Sequence, residues 1–257
     1  MIVRKSAFDK TESKAQAVFM SAISKLNKKG EYVKFINWHA NMGGYRMHAM
    51  GFDAKVGMLR FLAWHRIYLL EFEKALRRVE PTAYIPYWKW VDGGVPKWIE
   101  TFKPTVGGVT RLKSSHMDPN PTFHPPQTIN VNRINLTSAI TTQKKIDAIL
   151  AQPDFASFST ALERGPHNNG HNLLGHQMRT EISPTDPMFW MHHANVDRIW
   201  ALWQKKNPSL KPVIDAVHTT DPAKKKQFAA KWSVLQPFGV HIDKASRKTN
   251  DMGYSYA

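Results

Sequence analysis

Apolar residues over positions 11–41 recur three and four apart, with Phe19, Ile23 and Leu26 on one stripe and Gly30 as a stop. The pattern predicts one helix up to that glycine and a second over about residues 31–41. On the second, Tyr32, Phe35 or Ile36, and His39 share a face, which sets an imidazole among apolar side chains. Residues 42–58, MGGYRMHAMGFDAKVGM, break the period and read as an irregular loop. The clearest helix is FLAWHRIYLLEFEKALRRV over residues 61–79. Its stripe His65, Leu69, Phe72, Leu76 turns a second imidazole inward, while Glu71, Glu73, Lys74, Arg77 and Arg78 lie mostly off it. Pro81 closes that helix, and YIPYWKWVDGG follows as an extended aromatic segment ending in a turn.

Residues 100–126 carry five prolines, two lysines and little periodicity, and read as a long excursion packed on the outside, of the kind that often carries function. Helical patterns resume over residues 137–152 and 153–164. Gly165-Pro166 then opens a short helix with His167 and His171 at i and i+4, about 5–6 Å apart at Cβ on one face. The last strong element starts with Asp186-Pro187, an N-cap followed by proline, and runs MFWMHHANVDRIWALWQKK. Phe189, His193, Val196 or Asp197, and Trp200 share one face of it, and His192, Val196, Ile199 and Trp203 an adjacent one. Periodicity therefore does not choose between the paired histidines. The tail after Lys205 is basic and less patterned.

Composition narrows the chemistry. The chain has 257 residues, 42% of them hydrophobic, and no cysteine, so it can bury a large core without disulfides. Thiolate metal sites, cysteine nucleophiles and iron–sulfur clusters are excluded, and any metal must sit on His, carboxylate or Met. No internal repeat or shift of composition marks a boundary, so residues 1–257 are expected to form a single domain. Neither a signal peptide nor a membrane-length apolar run is present. The expectation is a cytoplasmic protein without membrane contact, with export on a partner protein as the alternative. Lys plus Arg exceeds Asp plus Glu by 36 − 20 = 16. That excess favours acidic partners, but no nucleic-acid motif accompanies the lysines at 25–29, 205–206 and 224–226, and nucleic-acid binding is not expected.

The histidines carry the stronger signal. A lone inward His is ordinarily a satisfied core residue. Five on four apolar helix faces would cost about 1–3 kcal/mol for each one left unpaired, and a shared metal removes that cost by using the lone pairs as ligands. Di-iron and di-manganese bundles need Glu-x-x-His pairs, which are absent here. No H-E-x-x-H helix points to a zinc peptidase either. An all-imidazole set suits copper or zinc. One N-terminal and one C-terminal cluster would place two metals facing each other across a four-helix bundle.

The segments FLAWHRIYLLEFEKAL, YIPYWKW, GPHNNGH and, above all, DPMFWMHHANVDRIWALW resemble the tyrosinase family of type 3 copper proteins, especially its short bacterial members. The resemblance covers nearly the whole chain and implies a mainly α fold, an antiparallel four-helix bundle holding two copper ions, with long irregular loops. It implies a copper monooxygenase and oxidase that hydroxylates a small phenol to an o-diphenol and oxidises this to an o-quinone, with dioxygen as co-substrate. A catechol or o-aminophenol oxidase with the same copper pair is the nearest alternative, and a non-catalytic oxygen- or copper-binding protein a more distant one. The closing GYSY resembles the end of the family's catalytic core, so no shielding C-terminal domain is expected.

Carried over by position, the resemblance gives the second copper His167, His171 and His193, with His192 beside them. The first copper takes His39 and His65. The family's remaining ligand stands nine residues before the WHR histidine, where this chain has Val56. His48, in the Gly/Met-rich loop, is one candidate for the sixth ligand; otherwise the first site has two histidines, completed by water or by a sulfur of Met47 or Met58. Glu163 and Asn168 match residues proposed in bacterial relatives to hold a water that deprotonates a monophenol. Asn172 and residues 179–183 fall where the family shapes the pocket entrance. Asp197 and Arg198 are expected to brace the bundle.

Overall fold

The computed structural model describes residues 1–49, 54–214 and 220–257. A short strand β1 (Ile2–Arg4) leads into α1 (Ser13–Lys28), which buries Phe19, Ala22, Ile23 and Leu26 at the expected spacing. Helix α2 (Tyr32–Ala40) buries Tyr32, Phe35, Ile36 and His39. A single turn, α3 (Met42–Tyr45), precedes α4 (Ala54–Val79), which is buried around most of its circumference along its first two thirds. The loop expected over 42–58 is thus helical at both ends, while its residues 50–53 lie outside the described residues. Glycine is tolerated inside these turns because other backbone packs against it. A Cβ on Gly43 would stand 2.1 Å from the Asp118 carbonyl oxygen, and one on Gly57 1.6 Å from that of His48.

The excursion over 100–126 is more than outer padding. Strand β2 (Thr105–Val109) and strand β3 (Gln127–Asn130) pair antiparallel, with Val106 opposite Ile129, and the chain between them lays its backbone on α3 at Gly43. Helix α5 (Gln143–Leu150) starts later than its apolar pattern, because Thr142 caps it and Ile140 N–H is drawn aside to the Trp90 carbonyl. Helix α6 (Phe155–Leu162) is capped by Asp154, whose carboxylate accepts from Ser157 N–H at 2.8 Å.

A wide turn over Glu163–His167 separates α6 from α7 (Asn168–Leu174). Gly165 there leaves helical geometry at φ −87° and ψ −112°, as the residue before proline is prone to do. The short helix therefore begins after Pro166, not at it. Helix α8 (Met188–Lys206) follows Asp186, whose Oδ1 accepts from Met188 N–H at 3.0 Å and from Arg133 at 2.5 Å. The tail expected to lack pattern holds α9 (Pro222–Ser233), the β4 (Val234–Leu235) and β5 (Val240–His241) ribbon, α10 (Ile242–Ala245) and β6 (Tyr254–Tyr256), pieces mostly too short for periodicity to reveal.

Helices α2, α4, α8 and the α6–α7 pair make the expected four-helix arrangement, and their buried side chains join one cluster. Aromatic contacts hold it: Phe72 of α4 stacks on Trp190 of α8 with centroids 3.5 Å apart, and Tyr68 O–H donates to the Phe35 carbonyl at 2.6 Å. Among the described residues no helix is long and apolar enough to cross a membrane.

Asp197 ties the bundle to both ends of the chain. Its carboxylate accepts from Arg66 at 2.5 Å, Tyr254 at 2.6 Å, Tyr256 at 2.7 Å and Arg4 at 3.4 Å. Arg4 also pairs with Glu73, and β1 runs parallel to β6, so one buried carboxylate on α8 gathers both chain ends and α4. Burial alone would raise the Asp197 pKa, but Arg66, Arg4 and the two hydroxyls outweigh it and hold the group below the usual range. Asp197→Ala would strand the buried Arg66 guanidinium and leave the Tyr254 and Tyr256 hydroxyls without their acceptor, and is expected to lower stability by about 3–5 kcal/mol in urea unfolding. A loss below about 1 kcal/mol would show that the brace is dispensable.

Candidate metal centre

Seven histidines converge inside the bundle in two groups, His39, His48 and His65 in one and His167, His171, His192 and His193 in the other. Within each group the available donor atoms lie within 4.8 Å of one another. The groups face each other closely: His65 stacks on His193 with ring centroids 4.3 Å apart, and His48 lies 5.8 Å from His167. Phe61 packs 4.8 Å from His65 and 4.7 Å from His167, while Phe189 packs 4.9 Å from His39 and 4.2 Å from His193. Two phenyl rings thus wall the imidazoles against water.

Orientation follows from the nitrogen on the far side of each ring. His39 Nδ1 sits 2.7 Å from the Glu181 carbonyl, His65 Nδ1 2.8 Å from the Phe61 carbonyl, and His171 Nδ1 2.5 Å from the Met178 carbonyl. His167 Nδ1 has the Glu163 carbonyl at 3.1 Å and Asn168 Oδ1 at 2.9 Å. His48 Nδ1 lies 3.1 Å from Glu163 Oε1. An oxygen acceptor requires the proton on Nδ1, so each of these rings in its neutral form carries its lone pair on Nε2. The Nε2 atoms of His39, His48, His65 and His167 are buried without a protein partner, and that of His171 faces His193 Nε2 at 3.3 Å. Bare inward lone pairs on neutral rings are a fitting donor set for late transition-metal ions.

His192 is set the other way. Trp90 Nε1–H, which can only donate, approaches His192 Nδ1 at 3.1 Å, so the neutral ring carries its proton on Nε2 and offers no lone pair there. Its Cε1 fills the space over Gly170, where an added Cβ would stand 2.4 Å away, so the ring acts as a wedge between α7 and α8. Burial, reinforced by neighbouring imidazoles, pushes His39, His65, His167, His192 and His193 well below the ordinary histidine value. His171 falls to about 4 by burial, despite the Met178 carbonyl bond that favours its charged form. These rings are uncharged at neutral pH.

Val56 is buried in the first turn of α4 and belongs to neither group. His48 enters the first group from the loop, and Gly57, next to Val56, is what lets the His48 carbonyl lie against the helix. Glu163 Oε1 holds the same loop a second time, accepting from Ala49 N–H at 3.0 Å. Neither methionine considered as a replacement is offered. Met47 is fully buried in the core, and the Met58 sulfur accepts from Thr160 Oγ1 at 2.6 Å.

A cleft of about 400 Å³ opens onto both groups, with His39, His48, His167 and His171 at its floor and Glu163, Asn168, Asn172, Arg179, Thr180, Glu181 and Ser183 among its walls. Of the stretch 179–183, Ile182 turns into the core. Asp197 is remote from this cleft and belongs to the brace. Sequence reasoning missed four features: the orienting indole of Trp90, the phenyl walls Phe61 and Phe189, the close approach at Gly57, and His116 of the excursion at the cleft's edge.

Residues 29–206 match the family model described as the common central domain of tyrosinase, a span that holds all seven converging histidines. A tyrosinase of Streptomyces antibioticus is 30% identical over 239 residues, which cover 81% of this chain and 85% of that protein. Among solved structures, a tyrosinase from Burkholderia thailandensis superposes with a TM-score of 0.66 at 17% identity, over 100% of this chain and 73% of that one. A functional unit of octopus hemocyanin gives 0.65 at 21% identity, over 100% of this chain and 68% of that one, so the fold is shared by proteins with different names. Its sequence is what places the chain: it belongs to the tyrosinase family, and its facing imidazole groups are those of a two-copper, type 3 centre.

Proposed function

We propose that this protein hydroxylates small monophenols to o-diphenols and oxidises these to o-quinones with dioxygen. The observation that carries the reading is the open cleft whose floor includes imidazoles of both groups, so that an aromatic ring can reach the centre from outside. A pure oxygen carrier has no use for such an opening. His39, His48 and His65 would hold one copper ion, and His167, His171 and His193 the other. The bound pair supplies the redox chemistry and the uptake of dioxygen.

The remaining work falls to the protein. The carbonyls of Glu181, Phe61, Glu163 and Met178 fix four rings, and the Glu163 carboxylate fixes a fifth. A carboxylate behind an imidazole makes its far nitrogen a better donor. Glu163 thus orients His48 through Oε1, while its Oε2, buried and without a partner, is the atom that takes the phenol proton. Asn168 keeps its carbonyl on His167 Nδ1, leaving its amide N–H groups to hold the phenol oxygen or an intervening water. Phe61 and Phe189 keep bulk water from the rings.

The copper-loaded protein is expected to turn a monophenol such as tyrosol into a trappable o-quinone. Oxidation of catechols alone would remove the hydroxylase half and leave a catechol oxidase. Glu163→Gln keeps an oxygen toward His48 but loses the base, and should slow monophenol turnover by about 10²- to 10⁴-fold while sparing catechol turnover. Equal loss on both substrates would argue against Oε2 as the proton acceptor. Metal analysis reads the first site without any turnover. His48→Ala should fall from two coppers per chain toward one, and Gly57→Ala, which pushes the His48 backbone away, should weaken the same copper. Retention of two tightly held ions in both variants would remove His48 from the ligand set.

A further inference from the structure

The walls of the cleft are unevenly charged. Two carboxylates, Glu163 and Glu181, and two guanidiniums, Arg164 and Arg179, line it. Both carboxylates are buried, and each has one oxygen engaged within the protein. Glu163 Oε1 accepts from His48 and Ala49, and Glu181 Oε1 accepts from Leu112 N–H at 3.1 Å and Arg111 at 3.5 Å. The arginines are exposed and barely committed. Arg179 gives only its Nε to the Asn172 carbonyl at 2.9 Å, and Arg164 makes no ion pair among the described residues. Asn168, Asn172 and Thr180 add hydrogen-bonding groups without charge. An incoming molecule therefore meets two exposed guanidiniums without carboxylate partners before it reaches the buried imidazoles.

Resting on the phenol-oxidising reading above, we infer that the preferred substrates are phenols bearing an acidic group on the end of the ring remote from the hydroxyl. With the hydroxyl at the floor, a carboxylate on the remote end of the ring would face the Arg164 and Arg179 guanidiniums that line the same cleft, each able to donate two N–H groups to it. An amine in that place would meet two like charges. The overall excess of 16 positive charges adds to the attraction at long range.

The test compares 3-(4-hydroxyphenyl)propionate, its amide and tyramine on the copper-loaded protein. KM should rise in that order at low ionic strength, with the acid about three- to tenfold below the amide for two exposed pairs. The gap should close as salt is raised, because the pairs are exposed. Arg164→Gln/Arg179→Gln should bring the acid-to-amide KM ratio toward one. The same ratio is read without turnover by equilibrium dialysis of 3-phenylpropionate and 3-phenylpropanamide, which have no hydroxyl to oxidise. Equal KM and equal binding of acid and amide in the unmodified protein overturn the proposal, as does a ratio that the double variant leaves unmoved. Failure to oxidise any of the three phenols would overturn the catalytic reading instead, and dialysis would still report the charge preference.

Discussion

Everything in this protein turns on burying a cluster of imidazoles and turning the lone pairs of most of them inward. A buried histidine that is neither charged nor bonded is expensive, and seven of them in contact would be ruinous to a fold without a common purpose. The structure meets the constraint from behind. Backbone carbonyls of α4, of the turn after α6 and of the stretch between α7 and α8 fix the Nδ1 proton, and the lone pairs then meet in the middle. The aromatic packing of α2, α4 and α8 keeps those carbonyls in place, so core and chemistry are one arrangement.

The two groups are not built alike. Every member of the second is carried by α8 or by the chain entering and forming α7, where ring position is largely set by backbone geometry. The first borrows one member from a loop, and ordering a loop residue costs conformational entropy that a helix has already lost. Two bonds from the Glu163 carboxylate and the tight contact at Gly57 offset that cost. Because Glu163 sits in the turn that presents His167, a single residue couples the ordering of one group to the placement of the other.

Legibility in the sequence tracked the range of the interactions. His39, His65, His167, His171 and the His192–His193 pair were visible because helical periodicity is local, and a run of apolar neighbours marks the buried face. Within the pair periodicity makes no choice and only the resemblance points to His193, since Trp90 lies 102 residues from His192 and no spacing rule connects them. Val56 drew attention by its position, but the resolution lay in the glycine beside it, whose value depends on a carbonyl from another segment. Residues 100–126 read as an outer excursion of the kind that often carries function because they lack a period, but the contact they make, His116 at the cleft's edge, is tertiary and no spacing rule shows it. The tail hid its order because its strands are two or three residues long and acquire meaning only through β1 and Asp197.

The indole of Trp90 also bears on which metal the second group prefers. Four imidazoles with free lone pairs would make a closed tetrahedral shell, the arrangement of structural zinc, with no position left for a substrate or oxygen. By donating to His192, Trp90 withdraws one donor from that shell and leaves three. With that N–H bond in place, His167, His171 and His193 are the imidazoles of the second group that would hold an ion, and the group would not close on four protein donors.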